Sequence, residues 1–160
     1  MDERVARLTT PKECEIFARN ARARNRDDLA EQAKHHAIGL SAIAYGVLNE
    51  ATHSEAEREC LEAIYAYEQI LSANNGKATK ASKTWQLVKR HGIIAATERV
   101  IERTDVTAGY DALKEAGLEK YAFEATVLRH KELFSETAVT RSELRMAEYL
   151  SAEEASESKS

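Results

Sequence analysis

At 160 residues with 43% apolar side chains, the chain suits one hydrophobic core, whereas two separate domains would each be marginal. One proline and six glycines fall well below ordinary usage while Ala, Glu, Lys, Arg and Leu abound, which disfavours a sheet protein and favours helix nearly throughout. Acids outnumber bases 27 to 23, and the resulting formal charge of -4 excludes a protein that coats nucleic acid with its whole surface, though not one with a local phosphate-binding patch.

Residues 1–9 are polar and are expected to be flexible. Thr10-Pro11-Lys12-Glu13 then combines an N-cap, a proline at the first helical position and a capping-box glutamate. The helix that starts there takes its apolar face from Cys14, Phe17, Ala18 and Ala21. Arg19, Arg22, Arg24 and Arg26 form a basic cluster on it, partly neutralised by the preceding glutamates and by Asp27-Asp28, so a solvated face is expected. After a turn at 25–28, Leu29, Ala33, Ala37, Leu40, Ala44 and Val47 recur at three- and four-residue spacing, which predicts a first long helix. Gly39 and Gly46 inside it each lower helix propensity by about 1 kcal/mol relative to Ala, a cost that close packing at a helix crossing would explain.

Ser54 and Glu57 form a second capping box, followed by the stripe Cys60, Leu61, Ile64, Tyr67 and Leu71 and a stop at Asn74-Asn75-Gly76. This is the second long helix. Shorter helices are expected over 79–91, with Gly92 as the stop, and over 93–103, followed by a break at 104–107. Tyr110 and Leu113 outline another, closed by Gly117. Residues 118–130 are apolar on nearly every side, which predicts a central helix. Ser135 caps a last helix running to about Leu150, and SAEEASESKS, with no core-forming residue, is expected to be a disordered tail over 151–160.

The fold class is therefore all-α: a compact single-domain helical bundle over 10–150, with two long helices and about five shorter ones. No apolar run approaches the roughly 18 residues that a membrane helix needs. The opening MDERVARLTTPKEC lacks the apolar segment of a secretory signal. A cytoplasmic, non-membrane location is expected. Cys14 and Cys60 have no CxxC or His/Cys spacing and read as buried reduced thiols.

The stretch Gln69 to Thr97 contains no Asp or Glu, so the negative field of the chain is lifted there locally. Lys77 and Lys80 lie on its glycine-led loop, suited to positioning phosphates. Lys83, Gln86, Lys89 and Arg90 lie on the helix that follows, where a helix-turn-helix variant presents its groove-facing residues. Gln86 is the side chain best suited to reading an adenine edge. These six are the candidate nucleic-acid-binding residues. The competing reading is a solvated basic face with Trp85 and Val88 packed into the core, Trp85 being an anchor in preference to a base-stacking platform.

No cofactor or metal is implied, and no catalytic residue is assigned. Glu50-Ala51-Thr52-His53 has the Glu-x-x-His spacing of helical di-iron proteins, but those need a second such motif and two further glutamates. His35 and His36 point to different helix faces, a poor geometry for joint ligation. Glu124, on the crowded apolar helix, is expected to be desolvated, with Arg129, His130 or a distant cation as partner, and a structural role is favoured over catalysis. No GxSxG elbow, P-loop, dinucleotide fingerprint or zinc cluster is present in the sequence.

Between roughly 60 and 150 the chain carries Ser82 near Trp85, Gly92, the pair Gly109-Tyr110, Gly117, the pair Glu124-Ala125 and a closing Leu133-Phe134. In this outline it resembles a bacterial all-helical accessory domain of uncertain function, sometimes associated with nuclease or restriction-type modules. The resemblance implies a nucleic-acid context and does not extend to the first 55 residues. The function expected is thus a non-enzymatic accessory or regulatory domain that binds nucleic acid, DNA in preference to RNA. The alternative is a protein-interaction or homo-oligomerisation module, in which the long helices offer Tyr45, Tyr65 or Tyr67 to a partner.

Overall fold

A computed structural model of the chain describes residues 1–103 and 108–158, and all regular structure among them is helical. Where composition pointed to one core, the contacts sort into two compact units, Met1–Ala66 and Tyr67–Ser160. The break expected at 104–107 lies outside the described residues.

The first unit begins with a short helix inside the segment expected to be flexible. In α1 (Glu3–Ala6) the Asp2 carboxylate caps the helix by accepting the Arg4 backbone N–H at 2.9 Å, and Val5 is completely buried. The Arg4 guanidinium bonded to Asp2 holds that carboxyl down to about 2. One buried valine and a local ion pair order a segment whose overall composition is polar.

The capping box that opens α2 (Pro11–Ala23) is fully formed: Thr10 accepts the Glu13 N–H, and the Glu13 carboxylate accepts the Thr10 N–H. Its Cys14, Ala18 and Ala21 pack with Leu29, Ala30 and Ala33 of α3 (Asp27–Leu48), joined by Val5 and flanked by Phe17 and Leu40. Small side chains on both helices let the backbones approach closely. Burial pushes the Cys14 thiol above its ordinary value, consistent with an inert reduced thiol; Cys60 is likewise buried, and neither cysteine forms a disulfide.

The buried face of α3 departs from the predicted stripe in its second half. Ile38 and Ala42 are inside, whereas Ala44 and Val47 face solvent. This helix carries apolar residues on more than one face, and periodicity alone does not say which of them will be covered. Gly46 meets close neighbours, since a Cβ there would lie 3.3 Å from the Ala51 carbonyl, but a Cβ on Gly39 would meet nothing within 4 Å. The close contact at Gly46 is with the turn that follows α3, where a helix crossing was expected, and Gly39 has no such contact.

Three helices end on the same device, a residue in the left-handed region with the next N–H returning to the carbonyl five residues back. Asn25 (φ 57) ends α2 with Arg26 N–H on Ala21 O at 2.8 Å. Glu50 (φ 51) follows α3 with Ala51 N–H on Gly46 O at 3.0 Å. Gly117 (φ 71) follows α7 (Ala108–Glu115) with Leu118 N–H on Leu113 O at 2.7 Å. Glycine takes this conformation freely, but Glu50 does so at a cost of about 1 kcal/mol.

α4 (Glu55–Asn75) starts at the second capping box, where the Ser54 hydroxyl accepts the Glu57 N–H and the Glu57 carboxylate accepts the Ser54 N–H, both at 3.1 Å. Ala56, Cys60, Leu61, Ala63, Ile64 and Ala66 are buried in its first part, and α4 continues into the second unit.

In the second unit α5 (Ser82–His91) and α6 (Ile93–Arg103) are joined by Gly92 alone, at φ 88 and ψ 170. The apolar segment 118–130 is not one continuous helix. It forms a 3-10 turn over Glu119–Tyr121 and then α8 (Phe123–Arg129), with Ala122 extended between them. Leu118, Ala122, Thr126 and Val127 are all buried, and the break lets residues from both pieces reach the interior.

α9 (Glu136–Ser158) continues past Leu150, into the segment read as a disordered tail. Ala152, Glu153, Glu154 and Ala155 are good helix formers, and their propensity favours continuing the helix. α3 and α4 are the two expected long helices, and α9 is of similar length.

α6 and α9 cap each other. Glu98 accepts the Ser135 N–H at 2.7 Å and Glu102 accepts the Ser135 hydroxyl at 3.0 Å, so two acids of α6 meet the positive start of α9. In return Arg145 donates to the Ile101 carbonyl at 2.8 Å and Arg141 to the Glu102 carbonyl, satisfying the end of α6. Arg145 also donates to Glu124 at 3.1 Å, with side chains only 10% and 14% exposed. The partner of Glu124 is therefore the distant cation among those considered, and its role is to hold α8 against α9.

Candidate nucleic-acid interface

The candidate surface is built outward from Glu68. On α4, Glu68, Ser72 and Asn75 follow the spacing of one helix face and fasten the loop over 76–81. The Ser72 hydroxyl accepts the Thr79 N–H at 2.9 Å, and Asn75 donates to the Thr79 hydroxyl at 3.2 Å. One Glu68 oxygen accepts the Ala81 N–H at 2.8 Å and the Trp85 indole N–H at 2.7 Å. Ala81, at the N-cap, offers no side chain to the start of α5, and the Glu68 carboxylate places a negative charge there instead. Trp85 is half-buried and committed to this bond, an anchoring role in keeping with its expected packing.

With Trp85 and Val88 turned inward, the opposite face of α5 is fixed. Lys83, Gln86, Lys89 and Arg90 are all exposed, and at 100° per residue they span about 120° of one side. Lys77 and Lys80 are exposed on the preceding loop. The structure therefore sets Lys83, Gln86, Lys89 and Arg90 on one helix surface and leaves Lys77 and Lys80 on a separate, tethered loop.

The connection differs from a helix-turn-helix. That motif uses a turn of three or four residues, whereas α5 turns into α6 through Gly92 alone. The glycine is required by its backbone, since φ 88 is strained for any side chain. The end of α5 is thereby set directly against the start of α6.

This corner brings in residues that the sequence reading left out. In α6 the repeated pair Glu98-Arg99 and Glu102-Arg103, four residues apart, separates its charges onto two flanks. The acids are taken up by Ser135. The charge of the bases reaches His91: desolvation first, then the charges of Arg99, Arg90 and Arg103, push its imidazole below its ordinary value. Three guanidinium charges acting on one imidazole mark a local positive field at the α5–α6 corner. Among the described residues none of Lys77, Lys80, Lys83, Lys89, Arg90, Arg99 and Arg103 has a carboxylate within ion-pairing distance.

The signal for Arg99 and Arg103 was the Glu-Arg repeat itself. It reads as neutral in composition, but the acids turn to Ser135 and, among the described residues, form no ion pair with the two arginines. The signal for Glu68 was its spacing from Ser72 and Asn75 on α4.

The remaining candidates separate from this surface. Glu50 and His53 line an open groove in the first unit, with Tyr45 tilted against His53 at 5.8 Å between ring centres. His36 Nε2–H donates to the Leu8 carbonyl at 2.9 Å, tying α3 to the N-terminal segment. No group of three or more His, Cys, Asp or Glu residues gathers as a metal site among the described residues. No described helix is long and apolar enough to cross a membrane. Comparison with family models, with curated proteins and with solved structures gave no match.

Proposed function

We propose that the chain is a non-catalytic accessory domain that binds nucleic acid through the α5 face and the α5–α6 corner. The carrying observation is the continuous exposed face of Lys83, Gln86, Lys89 and Arg90, flanked by Arg99 and Arg103 and lacking carboxylate partners among the described residues. In a chain of formal charge -4 such a face attracts a polyanion locally while the rest of the surface repels it. A helix presenting Gln86 among cations fits the width of the DNA major groove, and the deep, narrow groove of A-form RNA would not admit it. Lys77 and Lys80, on the tethered loop, suit flanking phosphates. The resemblance to a bacterial domain accompanying nuclease modules agrees with a cytoplasmic, DNA-directed role in which a partner performs any chemistry.

The test is a salt titration of duplex DNA binding. Contact with four or five phosphates gives a log–log slope of roughly -4. Replacing Lys83, Lys89 and Arg90 together with Ala should flatten the slope by about 3 while the far-UV circular dichroism is retained. Binding with unchanged affinity and slope in the triple variant would remove α5 from the interface.

A further inference from the structure

The end of α3 in the first unit carries an exposed apolar surface. Ile43, Val47 and Leu48 are 59%, 75% and 83% exposed, three large apolar side chains within the last two turns of one helix. Beside them lies an open groove of about 440 Å³, lined by Ile43, Gly46, Val47, Glu50, His53 and Arg58. Its floor is close to backbone, since Gly46 already approaches the Ala51 carbonyl and the His53 ring. The tyrosines that the sequence suggested as contact residues are half-buried, and Tyr45 leans on His53.

Two further observations concern charge. Glu50 occupies the left-handed position after α3, where glycine would be free of strain, and has no ion pair among the described residues. Arg58, across the groove, reaches Glu62 only at 3.9 Å, the long limit of an ion pair. One patch thus carries an apolar ridge, a groove beside it, an unpaired acid and a loosely held base. A strained residue retained at such a place points to a use for its side chain.

We propose that this patch is a docking surface for a second copy of the chain, the two α3 ends meeting antiparallel about a twofold axis near Val47. An isologous contact requires a patch to complement itself. Antiparallel pairing about Val47 sets Ile43, four residues before the axis, over the partner's groove beside Gly46 and Ala51. It sets Glu50, three residues after the axis, beside the partner's Arg58. Ridge meets groove and acid meets base, each twice. A partner of different sequence would not need both halves of each pair on one surface, which favours self-association. The inference is independent of nucleic-acid binding, which uses residues of the second unit.

Sedimentation equilibrium of the full chain over a range of concentrations tests it. The expected result is a reversible dimer. Val47→Glu, which sets two like charges together at the axis, should weaken it about 100-fold or more. Glu50→Arg and Arg58→Glu should each weaken it about tenfold, and the two combined should restore it to within a few-fold of the wild type. These residues are exposed, and unchanged circular dichroism verifies that each variant folds. A wild-type monomer at about 1 mM would overturn the proposal. So would a dimer indifferent to Val47→Glu, or a double charge swap that fails to restore association.

Discussion

Glu68 gives the sharpest test of how the basic surface is held. Its carboxylate accepts two N–H groups, from the Ala81 backbone at 2.8 Å and the Trp85 indole at 2.7 Å, and truncation to Ala removes both. Hydrogen bonds to a charged acceptor contribute about 1.5–3 kcal/mol each, or roughly 3–6 kcal/mol for the pair. The site is half-buried, so water recovers part of this, and we expect Glu68→Ala to cost about 2 kcal/mol. Glu68→Gln keeps an acceptor oxygen and loses only the charge, so about 1 kcal/mol is expected. With a urea dependence near 2 kcal/mol/M, the Ala variant should unfold at about 1 M lower denaturant. Trp85, the only tryptophan, reports the site directly, and its emission should shift to the red in the folded Ala variant. A loss below about 0.5 kcal/mol with unchanged emission would refute the claim that this carboxylate fastens α5.

Three other outcomes follow from the geometry. Glu124→Ala leaves the nearly buried Arg145 guanidinium without its carboxylate and should cost about 3 kcal/mol by chemical denaturation, with Glu124→Gln costing about half; equal stability of all three proteins would deny the pair its role. Arg99→Ala with Arg103→Ala should reduce the salt slope of DNA binding by about 2, although neither lies in the acid-free stretch; an unchanged slope would confine the surface to α5. The third concerns pH. His91 sits below its ordinary value because of desolvation and of Arg99, Arg90 and Arg103, and a phosphate bound at the corner would raise it. Binding then takes up a proton, so affinity should increase as pH falls from the bound value towards the free one and level off below it. His91→Gln should abolish the dependence, and a dependence that survived it would assign the proton to another group.

Much of the architecture was legible because local chemistry fixes it. Thr10, Pro11 and Glu13 start a helix, and Ser54 and Glu57 start another, since each box satisfies orphan N–H groups with atoms three residues away. Gly92 and Gly117 end helices where the backbone turns left-handed. The six candidate basic-surface residues, read from the absence of nearby acids, are all exposed. Glu68 and the pair Arg99 and Arg103 were not read in this way, because their roles depend on what lies across from them.

The helical class, most helix starts and stops and the acid-free run Gln69 to Thr97 are readable from the residue order, because each depends on neighbours within a turn or two. Tertiary structure decided which side of an ambiguous helix is covered: periodicity offered Ala44 and Val47 of α3 to the core, and the fold left both in solvent. It also decided which charges cancel. Glu98 and Glu102 balance Arg99 and Arg103 in composition, yet the acids are bonded to Ser135, far along the chain, and the charge of the arginines acts on His91. A charge count is a sum, whereas a surface depends on where each charge finds its partner.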